Sequence, residues 1–237
     1  MFPLPAHQTK DISLLDYPLT SFTTVQLTQK SPLDSVSTGT TLYLSSQLLA
    51  HYIQETLPRG TRAIELGAGT GLVSIALGLL GWQVWSTDLS NVIADVLRGN
   101  IERNRGDSTI VVQELDWFDE SWTWNSPVPQ PATDENDTTT PEFDLIVCAD
   151  VLYAKELIDP LLKTLVSLSG ARSPLILIAF ERRDSLVIDL FFEQARSVGF
   201  TAKKNNLRRI LGRQLGRWGW TTEDYDNAEI WSMRRKP

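Results

Sequence analysis

Two carboxylates frame a glycine-rich turn. The segment Glu65-Leu66-Gly67-Ala68-Gly69-Thr70-Gly71 is followed, at the end of the next apolar run, by Asp88. Glycines without Cβ atoms let the backbone turn tightly and let a ligand approach it, and the free N–H groups of a following helix point at that ligand. The spacing is G-x-G-x-G. A dinucleotide fingerprint, G-x-G-x-x-G, needs glycine where Leu72 stands, and no catalytic pair for hydride chemistry is recognisable, so a nicotinamide oxidoreductase is disfavoured. Asp88 is placed to accept both hydroxyls of a ribose, which points to an adenosine ligand. The alternative is a structural turn, and the two carboxylates weigh against it.

The elements that must hold these residues follow from periodicity. Ala63-Ile64-Glu65-Leu66 reads as a buried strand, and Leu72, Val73, Ile75, Ala76, Leu79 and Leu80 recur at helical spacing. Gln83 to Asp88 reads as the second strand, Val92 to Asn104 as a helix, and Thr109 to Leu115 as a third strand ending in Asp116-Trp117. Residues 125–142 are rich in Pro, Thr, Asp and Asn, the composition of a mobile loop. Strands are expected again over 143–149, 175–180 and 228–233, with helices over 157–169 and 185–197. A helix around 42–53, preceded by Thr38-Gly39-Thr40, is expected to lie across the pocket. The stretch 207–227 gives no clear assignment. Apolar strands alternating with helices imply a mainly parallel sheet covered on both faces, with its ligand at the strands' carboxyl ends.

Composition narrows the class. At 237 residues, with 42% hydrophobic residues and no apolar run long enough to span a membrane, the chain suits one soluble α/β domain. Met1 to Asp11 lacks the features of a secretory signal. One cysteine, Cys148, and two histidines, His7 and His51, offer neither a disulfide framework nor a zinc cluster. A reducing compartment, cytoplasmic or also nuclear, fits. Net charge is −7, distributed unevenly: residues 1–181 carry 10 basic and 22 acidic side chains, residues 182–237 carry 12 and 7. That balance argues against nucleic acid. It is either a solvated surface or an acidic face that attracts a cationic substrate. The alternative for Arg208, Arg209, Arg213 and Arg217 is contact with RNA or with an acidic patch of a protein.

Taken together, Glu65–Gly71, Asp88, Glu114-Leu115-Asp116-Trp117 and Asp150-Val151-Leu152-Tyr153 resemble the successive motifs of the seven-β-strand S-adenosylmethionine-dependent methyltransferases. The likeness is greatest to the protein-lysine methyltransferases of the methyltransferase-like 21 group (methyltransferase family 16), and it covers about residues 38 to 192. It implies a class I methyltransferase fold: a Rossmann-like, seven-stranded, mainly parallel sheet with helices on both faces. It implies a single domain over 1–237, with the N-terminal segment 1–58 packed on the cofactor site.

The resemblance also implies roles. Glu65 and the backbone of Gly67, Gly69 and Gly71 would hold the methionine half of S-adenosylmethionine, and Asp88 the ribose. Asp116 and Trp117 would hold the adenine, with Ala149 contributing backbone; the alternative for Trp117 is ordinary packing. Asp150 would orient the acceptor amine and Tyr153 would narrow its channel, unless Asp150 caps the helix near Lys155 and Tyr153 merely packs. Relatives usually carry tryptophan in a G-x-x-x-W segment; here Gly39-Thr40-Thr41-Leu42-Tyr43 ends in Tyr43, a smaller aromatic lid. Phe180-Glu181-Arg182-Arg183 resembles the charged border of the substrate entrance, with Glu181 either meeting a cationic substrate residue or remaining a surface charge. Cys148 is expected in the core, and His51 at a surface or packing position. The expected reaction is direct methyl transfer to a neutral lysine amine of a protein, a translation elongation factor or chaperone, with S-adenosylhomocysteine as product and no metal. Neutralising a lysine of pKa about 10.4 costs roughly 4.6 kcal/mol at pH 7, which desolvation and the sulfonium charge would offset. The alternatives are a small amine or arginine as acceptor, or a non-catalytic cofactor-binding partner protein. The protein is expected to be monomeric.

Overall fold

The computed structural model describes residues 2–30, 38–119, 142–170 and 173–236. The expected loop over 125–142 lies, except for Glu142, outside the described residues. A short antiparallel hairpin, β1 (Leu14–Pro18) and β2 (Thr24–Thr28), precedes α1 (Leu44–Thr56). An alternating series follows: β3 (Arg62–Leu66), α2 (Leu72–Leu79) and β4 (Gln83–Asp88), then α3 (Ser90–Val92), which continues through a π-helical turn (Ile93–Leu97) into α4 (Arg98–Asn104). The chain goes on through β5 (Ile110–Glu114), β6 (Leu145–Ala149), α5 (Ile158–Ser169), β7 (Leu175–Glu181) and α6 (Ser185–Ser197). It ends with β8 (Phe200–Lys204), α7 (Leu207–Arg217) and β9 (Ala228–Arg235).

Seven strands form one sheet in the order β5-β4-β3-β6-β7-β9-β8. The first five positions pair in parallel, and β9 runs antiparallel to both β7 and β8. The mainly parallel sheet with helices on both faces is therefore as the sequence led us to expect. The path reverses between β3 and β6, because the chain first builds outward through β4 and β5 and then returns to the other side of β3. Crevices of this kind, outside the strands' carboxyl ends, are where open α/β sheets bind ligands.

The strands are apolar on both faces because both are covered. Ala63, Val84, Val147 and Leu177 share a cluster with Leu48 of α1, Ile75 of α2 and Leu211 of α7. Their neighbours Ile64, Trp85, Ile146, Cys148 and Ile178 pack with Leu161, Leu165 and Phe191 of α5 and α6. Cys148 is thus a core residue, and burial pushes its thiol pKa up.

Two polar joints tie the hairpin to this body. The β2 edge meets side-chain amides of α4 in place of another strand: Thr28 N–H donates to Asn100 Oδ1 at 2.7 Å, and Gln26 N–H donates to Asn104 Oδ1 at 2.8 Å. The amide nitrogens answer by donating to the Thr28 and Gln26 carbonyls at 3.0 and 2.8 Å. Asn100 Nδ2 also donates to the carbonyl of Thr70, within the glycine turn, at 3.0 Å. The second joint is His51, which is fully buried, shares a 2.7 Å hydrogen bond with the Tyr17 hydroxyl and packs against the Trp218 ring. Burial pushes its pKa down to about 3, so it is a neutral packing residue.

Candidate active site

The turn after β3 needs glycine for two separate reasons. Gly69 has φ of 56°, in the left-handed region, and a Cβ there would lie 2.9 Å from the Gly39 carbonyl oxygen. Gly71, the N-cap of α2 with φ of 83°, faces away from the cleft, and a Cβ there would press on Leu97 and Ile101 at 2.8 and 3.0 Å. Gly69 therefore lets the Gly39 backbone close on the turn, whereas Gly71 lets α2 close on the π-turn and α4.

Asp88 ends β4 beside this turn. Its Oδ2 accepts from the Gly69 N–H at 2.7 Å and its Oδ1 from the Leu89 N–H at 2.8 Å. Burial pushes its carboxyl up to about 6, against the pull of those two donors, so it is mainly ionised at neutral pH. Each oxygen keeps a lone pair for a further donor, which is the capacity that vicinal hydroxyls require.

A cleft of about 550 Å³ opens at the carboxyl ends of β3, β4, β5 and β6. Tyr43, Gly67, Gly69 and Asp88 line it. Asp116 and Trp117, just past β5, and Ala149, Asp150 and Tyr153, at and past β6, line it as well. The size is that of a small-molecule or cofactor site. Asp116 Oδ1 accepts from the Phe118 N–H at 3.0 Å, which holds the strand exit in a turn and sets Trp117 beside Gly67. An ionised carboxylate, an indole, a second acid and a backbone with no Cβ at the close approach together fit an adenosyl group with hydroxyls and a base.

Two of the residues singled out from the sequence do not reach the cleft. Gly71 faces α4, as described. Glu65, 1% exposed, turns beneath the glycines to accept the Ser74 hydroxyl of α2, and Ser74 lies 2.8 Å from Ser86. Burial drives its carboxyl up to about 8, despite that hydrogen bond, with the Asp88 charge adding to the effect. Glu65 therefore underpins the turn from the core, and of the two carboxylates that frame the glycines it is Asp88 that lines the cleft.

The end of β6 carries the second set of groups. Asp150 has φ of 59°, one of two non-glycine residues with positive φ among the described residues. Backbone held there persists only when its surroundings enforce it. Its N–H donates to the Ala179 carbonyl at 2.8 Å, which docks the strand end on β7. Its side chain, 9% exposed, forms an ion pair of 3.1 Å with Arg183 Nη2. Burial raises the Asp150 pKa and the Arg183 charge works against that rise. Asp150 does not cap the following 3₁₀ turn, Lys155–Leu157, whose N-cap is Ala154 without a side-chain bond. Tyr153 is 57% exposed and stands at the rim with Phe118 and Leu89, which are also exposed.

Sequence reasoning named Arg183 as part of the charged border of the entrance but passed over a role of its own for it; the residue lines the cleft and stands 5.8 Å from the Tyr43 ring centroid. It also passed over Leu89, Asn91, Val92 and Phe118, all cleft-lining. The signal that would have found them is position: each follows closely on the carboxyl end of a parallel strand.

A family profile described as lysine methyltransferase matches residues 24–197. The mouse protein N-lysine methyltransferase METTL21A is 35% identical over 169 residues, covering 65% of this chain and 71% of that protein. Human methyltransferase-like protein 22 is 32% identical over 157 residues, covering 61% of this chain and 37% of that longer protein. The fold is similar to that of P. horikoshii TYW2, solved in complex with MeSAdo, with a TM-score of 0.52, 13% identity and coverage of 94% and 71% of the two chains. With a match over well over half its length, set on a sheet and cleft of the matching kind, the chain belongs to the lysine methyltransferase family.

Proposed function

We propose that the protein transfers a methyl group from S-adenosylmethionine to the side-chain amine of a lysine in another protein. The observation that carries this reading is the sharing of one cleft by two acidic groups with different tasks. Asp88 sits beside the glycine turn at the end of β4, where a ribose would be accepted, and Asp150, held in the left-handed conformation, lines the same cleft just past β6. The bound cofactor supplies an electrophilic methyl group on a sulfonium centre.

The protein's part is to bind, align and desolvate. Asp88 accepts hydroxyl hydrogens, and Trp117 and Asp116 take the base. Asp150, fixed by its backbone bond to Ala179, accepts a hydrogen bond from the acceptor amine and stabilises the positive charge that grows on its nitrogen. Alignment of this kind supplies much of the rate through proximity. Tyr153, Phe118 and Leu89 leave apolar surface exposed around the mouth, which supports a macromolecular acceptor that covers the rim. The translation-factor or chaperone class of acceptor rests on the resemblance to the methyltransferase-like 21 group. The single free cysteine, buried in β6, supports work in a reducing compartment, the cytoplasm or nucleus. No helix among the described residues is long and apolar enough to cross a membrane.

The test is transfer of labelled methyl groups from S-adenosylmethionine into a cell extract, comparing wild type with Asp150→Ala. A discrete labelled protein that disappears with the variant, while S-adenosylhomocysteine binding persists, is the expected result. Label confined to small molecules would replace the protein acceptor with a small amine. Equal loss of cofactor binding in Asp150→Ala would overturn the role given to that residue.

A further inference from the structure

Arg183 stands where the acceptor would need to be. One nitrogen, Nη2, lies 3.1 Å from Asp150 Oδ2 and 2.6 Å from Glu181 Oε1. The guanidinium also stands 5.8 Å from the Tyr43 ring centroid, within the range of a cation–π contact. The Asp150 side chain is 9% exposed and that of Arg183 is 50% exposed, so the cation covers the carboxylate while facing the open side of the cleft. Neighbouring Arg182 is anchored in the other direction. It donates to Glu229 and Asp189 at 3.1 and 3.0 Å, and its N–H donates to the Asn227 carbonyl at 2.8 Å. That anchoring fixes the turn after β7 and leaves Arg183 directed to the cleft.

We propose, on the basis of the methyltransferase reading above, that Arg183 is a displaceable placeholder for the cationic side chain of the substrate. It occupies Asp150 until an alkylammonium or amine takes its position. Two observations carry this. The first is charge: two carboxylates share one guanidinium, so the group keeps a net negative charge that one further cation balances. The second is geometry, because Glu181 holds Arg183 by the shorter contact and offers it a place once Asp150 is taken. Displacement therefore breaks one of two ion pairs rather than both. Glu181 thereby becomes a specificity-determining residue, since it sets how readily Asp150 is released to the substrate.

The experiment reads binding of n-butylammonium to the S-adenosylhomocysteine-loaded protein by saturation-transfer NMR, across wild type, Arg183→Ala, Arg183→Lys and Glu181→Gln. Removing a half-exposed competitor is expected to tighten probe binding by about fivefold in Arg183→Ala. Glu181→Gln is expected to weaken it, because the displaced arginine then lacks its alternative partner. Arg183→Lys is expected to fall between wild type and Arg183→Ala. Weaker or unchanged binding in Arg183→Ala, with the cofactor product still bound, would overturn the placeholder and make Arg183 a supporting residue. Failure of any form to bind S-adenosylhomocysteine would instead overturn the methyltransferase reading on which the proposal rests.

Discussion

Asp88 has to be half-buried and ionised at once, and its two backbone donors are what make that possible. With its carboxyl pushed up to about 6, protonation below that pH removes acceptor capacity at the proposed ribose site. S-adenosylhomocysteine should therefore bind more weakly at pH 5 than at pH 7.5. Asp88→Asn should bind weakly at both, with a loss of about 1.5–3 kcal/mol for a hydrogen bond to a charged group. Isothermal titration at the two pH values checks both statements. A wild-type affinity that does not change with pH would remove the ribose role. Asp88 and Asp150 were legible in the sequence because each ends an apolar run that reads as a parallel strand. Glu65 was legible as a carboxylate but not as a buried one, since its environment is built by Ser74 and Ser86 from two other elements. Arg183 was legible as part of a charged segment but not as the partner of Asp150, which follows a different strand.

Among the elements, α4 has a task that its sequence does not announce. Asn100 is fully buried and bonds the Thr28 backbone in both directions as well as the Thr70 carbonyl. Asn100→Ala would leave buried donors and acceptors without partners, at about 1–3 kcal/mol for each group. We expect a drop in stability of about 3 kcal/mol in urea unfolding, larger than for Asn104→Ala at the part-buried end of the same helix. Equal losses would show that the link to the glycine turn adds nothing. The helices and strands from β3 to α6 were readable because the helices repeat apolar residues at helical spacing and the buried strands are short apolar runs. The hairpin was not, because its strands are short and half polar and its edge is completed by side-chain amides. In α7 the buried residues Leu207, Leu211 and Leu215 do repeat every four positions. Gly212 and Gly216, poor helix formers, blurred that signal.

For the whole molecule, the buried ionisable groups set a pH profile. Glu65 holds its proton in the folded state up to about 8 and loses it near 4.5 when unfolded, so its contribution falls as pH rises between those values. His51 runs the other way: neutral when folded and protonated below about 6.5 when unfolded, it costs stability as pH falls from there toward 3. Above pH 6.5 only the Glu65 decline remains of these two. The melting temperature of the ligand-free protein should drop between pH 6.5 and 8, and Glu65→Gln, which keeps an acceptor for Ser74, should flatten that drop. An unchanged slope in the variant would mean that Glu65 is ionised in the fold. The alternation of strands and helices made the parallel sheet and its ligand edge legible, but which strand lies beside which is decided by packing, not by local pattern. The shared amide of Asn100 carries one more consequence. Thr70 at the cleft and Thr28 in the hairpin do not hold independent free energies, so an opening of the hairpin loosens the turn and a ligand that quiets the turn also closes the hairpin. The hairpin, which carries no chemistry, is thereby thermodynamically linked to occupancy of the site.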